Sequence, residues 1–355
     1  MSLALPESPH EDILEPGLAI IDPHHHLWDH RAFYAAQAAT PQPKAHGFAD
    51  VVRLSPRYLL DELAADTRSG HRVVATVFVE CSSAYRREGP PALRPVGETE
   101  FVHALLSQST AASEGFQPCA GIVGHADLTL GTAVAEVLQA HIAAGGGRFR
   151  GIRHTGAHDA DRAVLGPLSR TPADLFSSPD FRAGFAQLGP LGLSFDAWVL
   201  EPQLPQVTSL AQAFPGTSIV LDHVGTPLGV ASYAGRRDER FAVWRQHLIE
   251  LAACPNVSVK LGGLAMPFVN LPSWMAQPAA GSEQLAREWR PYIEACIEAF
   301  GAARCMFESN FPVDRGVGSY ATVWNAFKRL AAGASADDKQ ALFSGTASRV
   351  YRLAV

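Results

Sequence analysis

The stretch IIDPHHHLWD, residues 20–29, joins an apolar run to an aspartate and three consecutive histidines. Side chains alternate between the two faces of a strand, so Asp22, His24 and His26 are expected to share one face. Two histidines at positions i and i+2 of a strand can reach a single metal ion. His25 would point to the other face as a spacer. The stretch therefore predicts a first strand that ends in metal-binding histidines, with a polar hydrogen-bonded loop as the alternative.

Eight strand candidates run through the chain, and each is followed by a segment with helical spacing. They lie at 18–26, 72–80, 118–128, 149–154, 191–200, 218–225, 256–264 and 304–312. Eight alternations of strand and helix indicate the fold class α/β, as a single (β/α)8 TIM barrel with long strand-to-helix loops and an extra C-terminal helix over 336–353. Residues 1–17 form a predicted N-terminal arm and residues 18–355 the barrel domain.

The connecting segments differ in length according to their direction. Links from a helix to the next strand are short, as at 214–217 and 254–256, whereas links from a strand to a helix are long, as at 225–238 and 262–283. In a barrel the long links lie at the carboxyl ends of the strands, where barrel enzymes place their active sites. The asymmetry predicts a functional site at that face.

Composition excludes several classes of partner. Hydrophobic residues make up 47% of the 355 residues and charged residues 18%, which is typical of a globular protein with a large core. The net charge of −6 argues against nucleic-acid and membrane-surface partners, because phosphate groups attract clustered positive charge. No P-loop is present, so no nucleotide cofactor is expected, and no apolar run reaches the roughly 18 residues of a membrane span. The expected partner is a small-molecule substrate.

The cysteines and the N-terminal residues predict a location. The five cysteines show no CxxC spacing, which favours reduced thiols. Residues 1–17 lack the basic and apolar regions of a signal peptide, so a cytoplasmic protein is expected. The sequence leaves the oligomeric state open, with a homo-oligomer among the options.

Strand alternation selects further inward-facing candidates. Lys260 lies in an otherwise apolar strand, and its burial would require a partner such as Asp196 or Glu308. Arg153 and His154 are adjacent, so only one of them is expected to face the barrel mouth.

The last strand candidate predicts a carboxylate inside the barrel. Glu308 and Asn310 share its inward face by alternation, and Asp314 follows in the loop. His223 is placed on the inward face of the sixth strand, and Glu80 ends the second strand.

Several motifs resemble the amidohydrolase superfamily. They are IIDPHHHLWD, GIRH, EPQLPQVTSLAQAFP, IVLDHVGTP, PNVSVKLGGL and ESNFPVD. In order and spacing they are similar to the amidohydrolase-2 branch, with its sugar-lactone, muconolactone and pyrone-dicarboxylate lactonases, over nearly the whole chain. The resemblance implies a barrel with His24 and His26 as metal or substrate contacts and His223 as an active-site residue.

The resemblance breaks at the last strand. The usual GSDWPV reads ESNFPV here, so Asn310 stands where the family has an aspartate that acts as general base or metal ligand. An amide cannot accept a proton as a base. Glu308, two residues earlier, is expected to supply the missing negative charge, while Asn310 donates a hydrogen bond to the substrate.

These observations lead to one main hypothesis and two alternatives. The expected activity is metal-assisted attack of water on a small carboxylated or polyhydroxylated lactone at the barrel mouth. The alternatives are non-oxidative decarboxylation of an aromatic or unsaturated acid, and a non-catalytic ligand-binding protein.

The expected cofactor is a divalent ion, zinc or manganese, held by His24, His26 and Glu308. The expected catalytic residues are His223, Glu308 and Asn310. The expected substrate contacts are Trp28, Arg153, His154, Asp196, Lys260 and Asp314.

Overall fold

The computed structural model describes residues 5–37, 47–108 and 115–355. Parts of the predicted N-terminal arm, of the first long loop and of the helix predicted after the second strand therefore lie outside the described residues. Within those ranges, one sheet holds eight parallel strands in chain order. They are β1 (Ala19–His25), β2 (Arg72–Val79), β3 (Gln117–Gly124), β4 (Phe149–Thr155), β5 (Ser194–Trp198), β6 (Ile219–Leu221), β7 (Val257–Leu261) and β8 (Cys305–Phe307).

The sheet closes between its first and last strands. The His26 N–H donates to the Phe311 carbonyl at 2.8 Å, and the Asn310 N–H donates to the His24 carbonyl at 3.0 Å. These bonds join the end of β1 to the chain just beyond β8. The predicted (β/α)8 barrel is confirmed, and each predicted strand overlaps an observed one.

Helices follow the strands and surround the barrel. They are α1 (Arg31–Gln37), α2 (Gly47–Leu54), α3 (Leu60–Thr67), α4 (Val96–Gln108), α5 (Val134–Ala144), α6 (Arg162–Leu165), α7 (Pro179–Phe185), α8 (Leu204–Ala213), α9 (Arg237–Ala252), α10 (Ser282–Phe300), α11 (Tyr320–Leu330), α12 (Ala336–Gln340) and α13 (Thr346–Val350). The last two confirm the extra C-terminal helical segment. The link from α9 to β7 is short and the link from β7 to α10 is long, as expected. No helix in the described ranges has the length and apolar character needed to span a membrane.

Inward-facing residues form two regions inside the barrel. The apolar Val220 on β6 precedes Asp222, and Met306 on β8 precedes Glu308, with both carboxylates just beyond the strands. The apolar region therefore lies toward the amino ends of these strands. We call it the apolar layer; it consists of Ile21, Ala75, Val77, Val79, Val123, Val220 and Met306, with Tyr351 and Leu353 from the C-terminal segment. We call the second region the charged layer; it consists of Arg153, Asp196, Asp222, Lys260 and Glu308.

Strand β1 departs from simple alternation. Asp22 pairs with Thr76 of β2 and His25 pairs with Phe78, so β1 advances by three residues where β2 advances by two. A bulge accommodates the extra residue and breaks the alternation.

The bulge changes the face on which Asp22 lies. This carboxylate faces outward and accepts hydrogen bonds from the Ser309 hydroxyl at 2.6 Å and the Tyr320 hydroxyl at 3.0 Å. The prediction that Asp22 shares a face with His24 and His26 was therefore wrong. The same prediction was right for His25, which faces outward.

Candidate active site

Lys260 lies at the centre of the charged layer. Its Nζ is 2.7 Å from Asp196 Oδ2, 3.0 Å from Asp222 Oδ1 and 3.2 Å from His24 Nδ1, and the side chain is fully buried. Burial opposes the charged form of this amine, but Asp196 and Asp222 outweigh it and raise the pKa of Lys260. The residue is therefore a buried ammonium ion, and the predicted pair with Asp196 is present.

Asp196 is supported from the apolar layer by Tyr351. The Tyr351 hydroxyl donates to Asp196 Oδ2 at 2.7 Å. Burial raises the pKa of Asp196 to about 6. The charge of Lys260 and the hydrogen bonds from Lys260 and Tyr351 act in the opposite direction. The C-terminal segment thus contributes a hydrogen bond to the site as well as side chains to the apolar layer.

Glu308 joins two imidazole rings. Its Oε2 lies 2.7 Å from His24 Nδ1, and its Oε1 lies 2.7 Å from His223 Nδ1. A carboxylate only accepts, so we assign a proton to Nδ1 of His223, which donates to Glu308. The hydrogen-bond partner of His24 Nδ1 is the Lys260 ammonium, which only donates, so this nitrogen accepts. Burial, followed by the charge of Lys260, lowers the pKa of His24, so this ring is neutral. Glu308 points into the barrel, as alternation along β8 predicts.

Asp222 is the inward carboxylate that sequence reasoning missed. Alternation from Leu221 placed His223 on the inward face of β6, but Val220 and Asp222 occupy that face. His223 has a φ of 56°, so the chain turns sharply after β6 and still brings this ring 4.6 Å from the ring of His24. In an all-apolar strand such as IVL, alternation alone cannot tell which face is inward. The only signal for Asp222 in the sequence was its position beside His223.

Arg153 connects the charged layer to an open cleft. Its Nε donates to Glu80 Oε1 at 2.8 Å, and its NH1 lies 3.4 Å from His24 Nε2 and 3.8 Å from Asp222 Oδ2. A second guanidinium nitrogen donates to the Glu80 carbonyl. This arrangement holds a positive charge at the boundary between the buried groups and solvent.

The cleft above Arg153 has a volume of 390 Å³. Its buried polar lining residues are His26, Glu80 and Arg153. Aromatic side chains, among them Trp28 and Trp198, line its walls. The His26 Nδ1 lies 2.8 Å from the Val79 carbonyl, so we assign its proton to Nδ1, which leaves Nε2 unprotonated.

The predicted substrate contacts fall into three groups. Trp28 and Arg153 line the cleft, whereas Asp196 and Lys260 lie beneath it, fully buried. His154 faces outward, 5.4 Å from the ring of Phe181. The prediction for His154 was wrong because Arg153 takes the inward face of β4.

Asn310 and Asp314 lie buried beyond β8. The Asn310 amide donates to Asp314 Oδ1 at 2.8 Å, and burial raises the pKa of Asp314. Neither residue lines the cleft, and one donor of the Asn310 amide is used by Asp314. Their predicted roles in substrate binding and catalysis stay predictions.

His24, Asp222 and His223 form a group that fits a divalent metal ion. One donor atom from each lies within 4.8 Å of the others. Two imidazole nitrogens and one carboxylate oxygen suit zinc and similar ions. The three carboxylates of the charged layer and Glu80 exceed the two basic side chains by two charges, which a divalent ion would balance. The expected roles of His26 and Glu308 as ligands stay predictions.

A model of the amidohydrolase family matches residues 21–353. The chain belongs to this family. The resemblance found in the sequence is therefore confirmed for almost all of the barrel.

Known relatives of this amidohydrolase include proteins with and without a described activity. The uncharacterized protein y4mH of Sinorhizobium fredii is 33% identical over 95% of this chain and 99% of its own length. An L-fucono-1,5-lactonase of Burkholderia multivorans is 35% identical over 59% of this chain and 64% of its own length. The crystal structure of a Burkholderia multivorans amidohydrolase with bound zinc is 28% identical, with a TM-score of 0.68 over 94% of this chain and 99% of that one.

Proposed function

We propose that this protein hydrolyses a small carboxylated or polyhydroxylated lactone. The observation that carries the proposal is Arg153, which lines the cleft and contacts both Glu80 and His24. The likeness to a lactonase over part of the chain supports the same reaction class.

Arg153 is the group that stabilises developing negative charge. Water attack on an ester carbonyl places a negative charge on the carbonyl oxygen, and a fixed cation in a site of low dielectric stabilises it strongly. The ion pair with Glu80 holds the guanidinium in one orientation, so little reorganisation is needed during the reaction.

His26 is the proton acceptor in this proposal. Its Nδ1–H is held by the Val79 carbonyl, so Nε2 accepts the proton from the attacking water. The bond between the carbonyl carbon and the ring oxygen then breaks, and the proton passes from Nε2 to the leaving oxygen. The product is a hydroxy acid, which releases one proton to solution at neutral pH.

His24, Asp222 and His223 would hold a divalent ion, zinc or manganese. When bound, the ion would supply Lewis-acid polarisation of the carbonyl group. Glu308 orients the His223 imidazole through its Nδ1 atom, and Lys260 contacts Nδ1 of His24. Lys260 holds the Asp222 carboxylate in place through a contact of 3.0 Å.

A panel of sugar-acid and carboxylated lactones, read by proton release alongside elemental analysis, tests the proposal. Arg153→Met is expected to lower kcat/KM by about 100-fold, because it removes a preorganised charge from the reacting carbonyl. Arg150→Met is the matched control, since Arg150 lies on the same strand with its side chain bonded to the Gly147 carbonyl away from the cleft.

Two results would overturn the proposal. One is a folded protein that hydrolyses no lactone in the panel. The other is an Arg153→Met variant that stays as active as Arg150→Met. Release of CO₂ from an aromatic or unsaturated acid, without lactone hydrolysis, would favour the decarboxylase alternative instead.

A further inference from the structure

A second cavity adjoins the cleft on the side of the first long loop. It has a volume of 640 Å³ and shares three lining residues, His30, Val52 and Ser82, with the cleft. The two spaces are therefore neighbours on either side of these three residues. We call the second cavity the outer compartment.

A row of rings leads from the buried histidines to this compartment. The His26 ring stacks on Trp28 at 5.9 Å, and Trp28 stacks on His30 at 5.6 Å. His30 in turn meets the edge of Tyr34 at 6.4 Å. A flat ligand that leaves the cleft would therefore follow aromatic faces into the outer compartment.

The compartment itself has an apolar wall that nothing in the described part of the chain covers fully. Phe33 on α1 lines it and is 57% exposed, the largest exposed fraction among the exposed large hydrophobic side chains. Phe101 on α4 and Ala49 on α2 face the same space. Exposed aromatic surface beside a substrate cleft is typical of a ligand-binding extension.

We propose that the outer compartment is a subsite for a flat, apolar, preferably aromatic substituent on the lactone. This inference rests on the proposed function, because it names the part of the substrate that lies beyond the reacting ring. The lactone ring would occupy the cleft above Arg153, and the substituent would pass His30 and pack against Phe33 and Tyr34. Aromatic pairs of this kind favour stacked or edge-on contact.

The first test compares δ-valerolactone with 6-phenyl-δ-valerolactone, using the full-length protein. Ala49→Phe fills the outer compartment and is expected to lower kcat/KM for the phenyl lactone by roughly tenfold, the size of one well-made aromatic contact. Hydrolysis of the unsubstituted lactone should be unchanged. Ala104→Phe, at an exposed position of α4 that does not line the compartment, is the matched control.

A truncation gives an independent variant. Phe33→Ala is expected to lower kcat/KM for the phenyl lactone by roughly threefold, because one ring of the wall is lost. Ile249→Ala, which removes an exposed apolar side chain on α9, is its control and should leave both lactones unaffected.

Binding of the matching lactams separates this inference from the proposed function. δ-Valerolactam and its 6-phenyl derivative resist hydrolysis, so calorimetry reads the subsite even if neither lactone turns over. Tighter binding of the phenyl lactam, weakened by Ala49→Phe but not by Ala104→Phe, supports the subsite. The inference is overturned if wild-type protein shows no preference for the phenyl compounds, or if Ala49→Phe affects both members of a pair equally or neither.

Discussion

The apolar layer and the charged layer occupy the same barrel and meet along β6 and β8, yet they depend on different physics. Met306 on β8 packs in the apolar layer, while Glu308, just beyond that strand, lies 2.7 Å from each of two imidazoles. Apolar packing is non-directional and tolerates change in proportion to the volume lost. A buried charge requires its specific partners, because the desolvation penalty is large and only paired geometry offsets it. The comparison teaches that stability and chemistry are separable along a single strand.

The largest effect on stability is expected when the Lys260 ammonium is removed from the charged layer. Lys260→Met leaves Asp196 and Asp222 buried without their common partner, which is expected to lower the free energy of unfolding by about 4 kcal/mol. Urea denaturation measures the change. Lys339→Met is the control, because its pair with Glu15 lies at the surface and contributes less than about 1 kcal/mol. Equal losses for the two variants would contradict the comparison.

Met306→Ala tests the apolar layer at the residue that pairs with Lys260 across β7 and β8. The lost side-chain volume and the cavity left behind are expected to lower the free energy of unfolding by about 3 kcal/mol. Because Met306 lies in the apolar layer and does not line the cleft, kcat/KM of the folded variant is expected to stay at the wild-type value. Loss of activity without loss of stability would show that the two layers are not separable.

Glu98 is a buried carboxylate with a different environment from those of the charged layer. Its Oε1 accepts hydrogen bonds from the backbone N–H groups of Cys81 and Ser83. Burial, and then the nearby charge of Glu80, raises the pKa of Glu98 from 4.5 to about 8. A raised folded-state pKa makes the contribution of this carboxyl greatest below pH 4.5, and the contribution is lost as pH rises through about 8.

Glu98→Gln removes this titration and keeps an oxygen for the two N–H groups. The free energy of unfolding of the variant minus that of wild type is expected to increase by about 2 kcal/mol as the pH rises from 5 to 7. Urea denaturation at several pH values measures the gain. A difference that does not change with pH would show that the carboxyl of Glu98 is ionised in the folded protein.

The smallest effect is expected at the contact between the two layers. Tyr351→Phe removes the hydroxyl bonded to Asp196 and is expected to lower the free energy of unfolding by about 1.5 kcal/mol. Tyr292→Phe is the control, since its hydroxyl accepts only a long 3.4 Å hydrogen bond from Arg237. If the two changes cost the same, Tyr351 acts through packing rather than through Asp196.

Particular residues show how far sequence reasoning reached. The eight strands, the inward direction of His24 and His26, and the need of Lys260 for a buried carboxylate could be predicted, because each follows from the pattern within one strand. Alternation left the partner of Lys260 open between Asp196 and Glu308, and the structure pairs it with Asp196. Asp22 could not be placed, because the β1 bulge depends on how that strand pairs with β2. Asp222 was missed for a related reason, since the inward face of a short apolar strand is set by its neighbours.

The sequence by itself determined the barrel, the family and the end of the barrel at which the histidines and carboxylates gather. These properties follow from periodicity and motif order, which are written in the chain. The tertiary structure decided which carboxylate accompanies His24 and His223, how Glu308 is shared between two rings, and where Asn310 directs its amide. Those pairings join strands that lie far apart in the chain, and a buried charge takes whichever partner the closed barrel brings within hydrogen-bond distance.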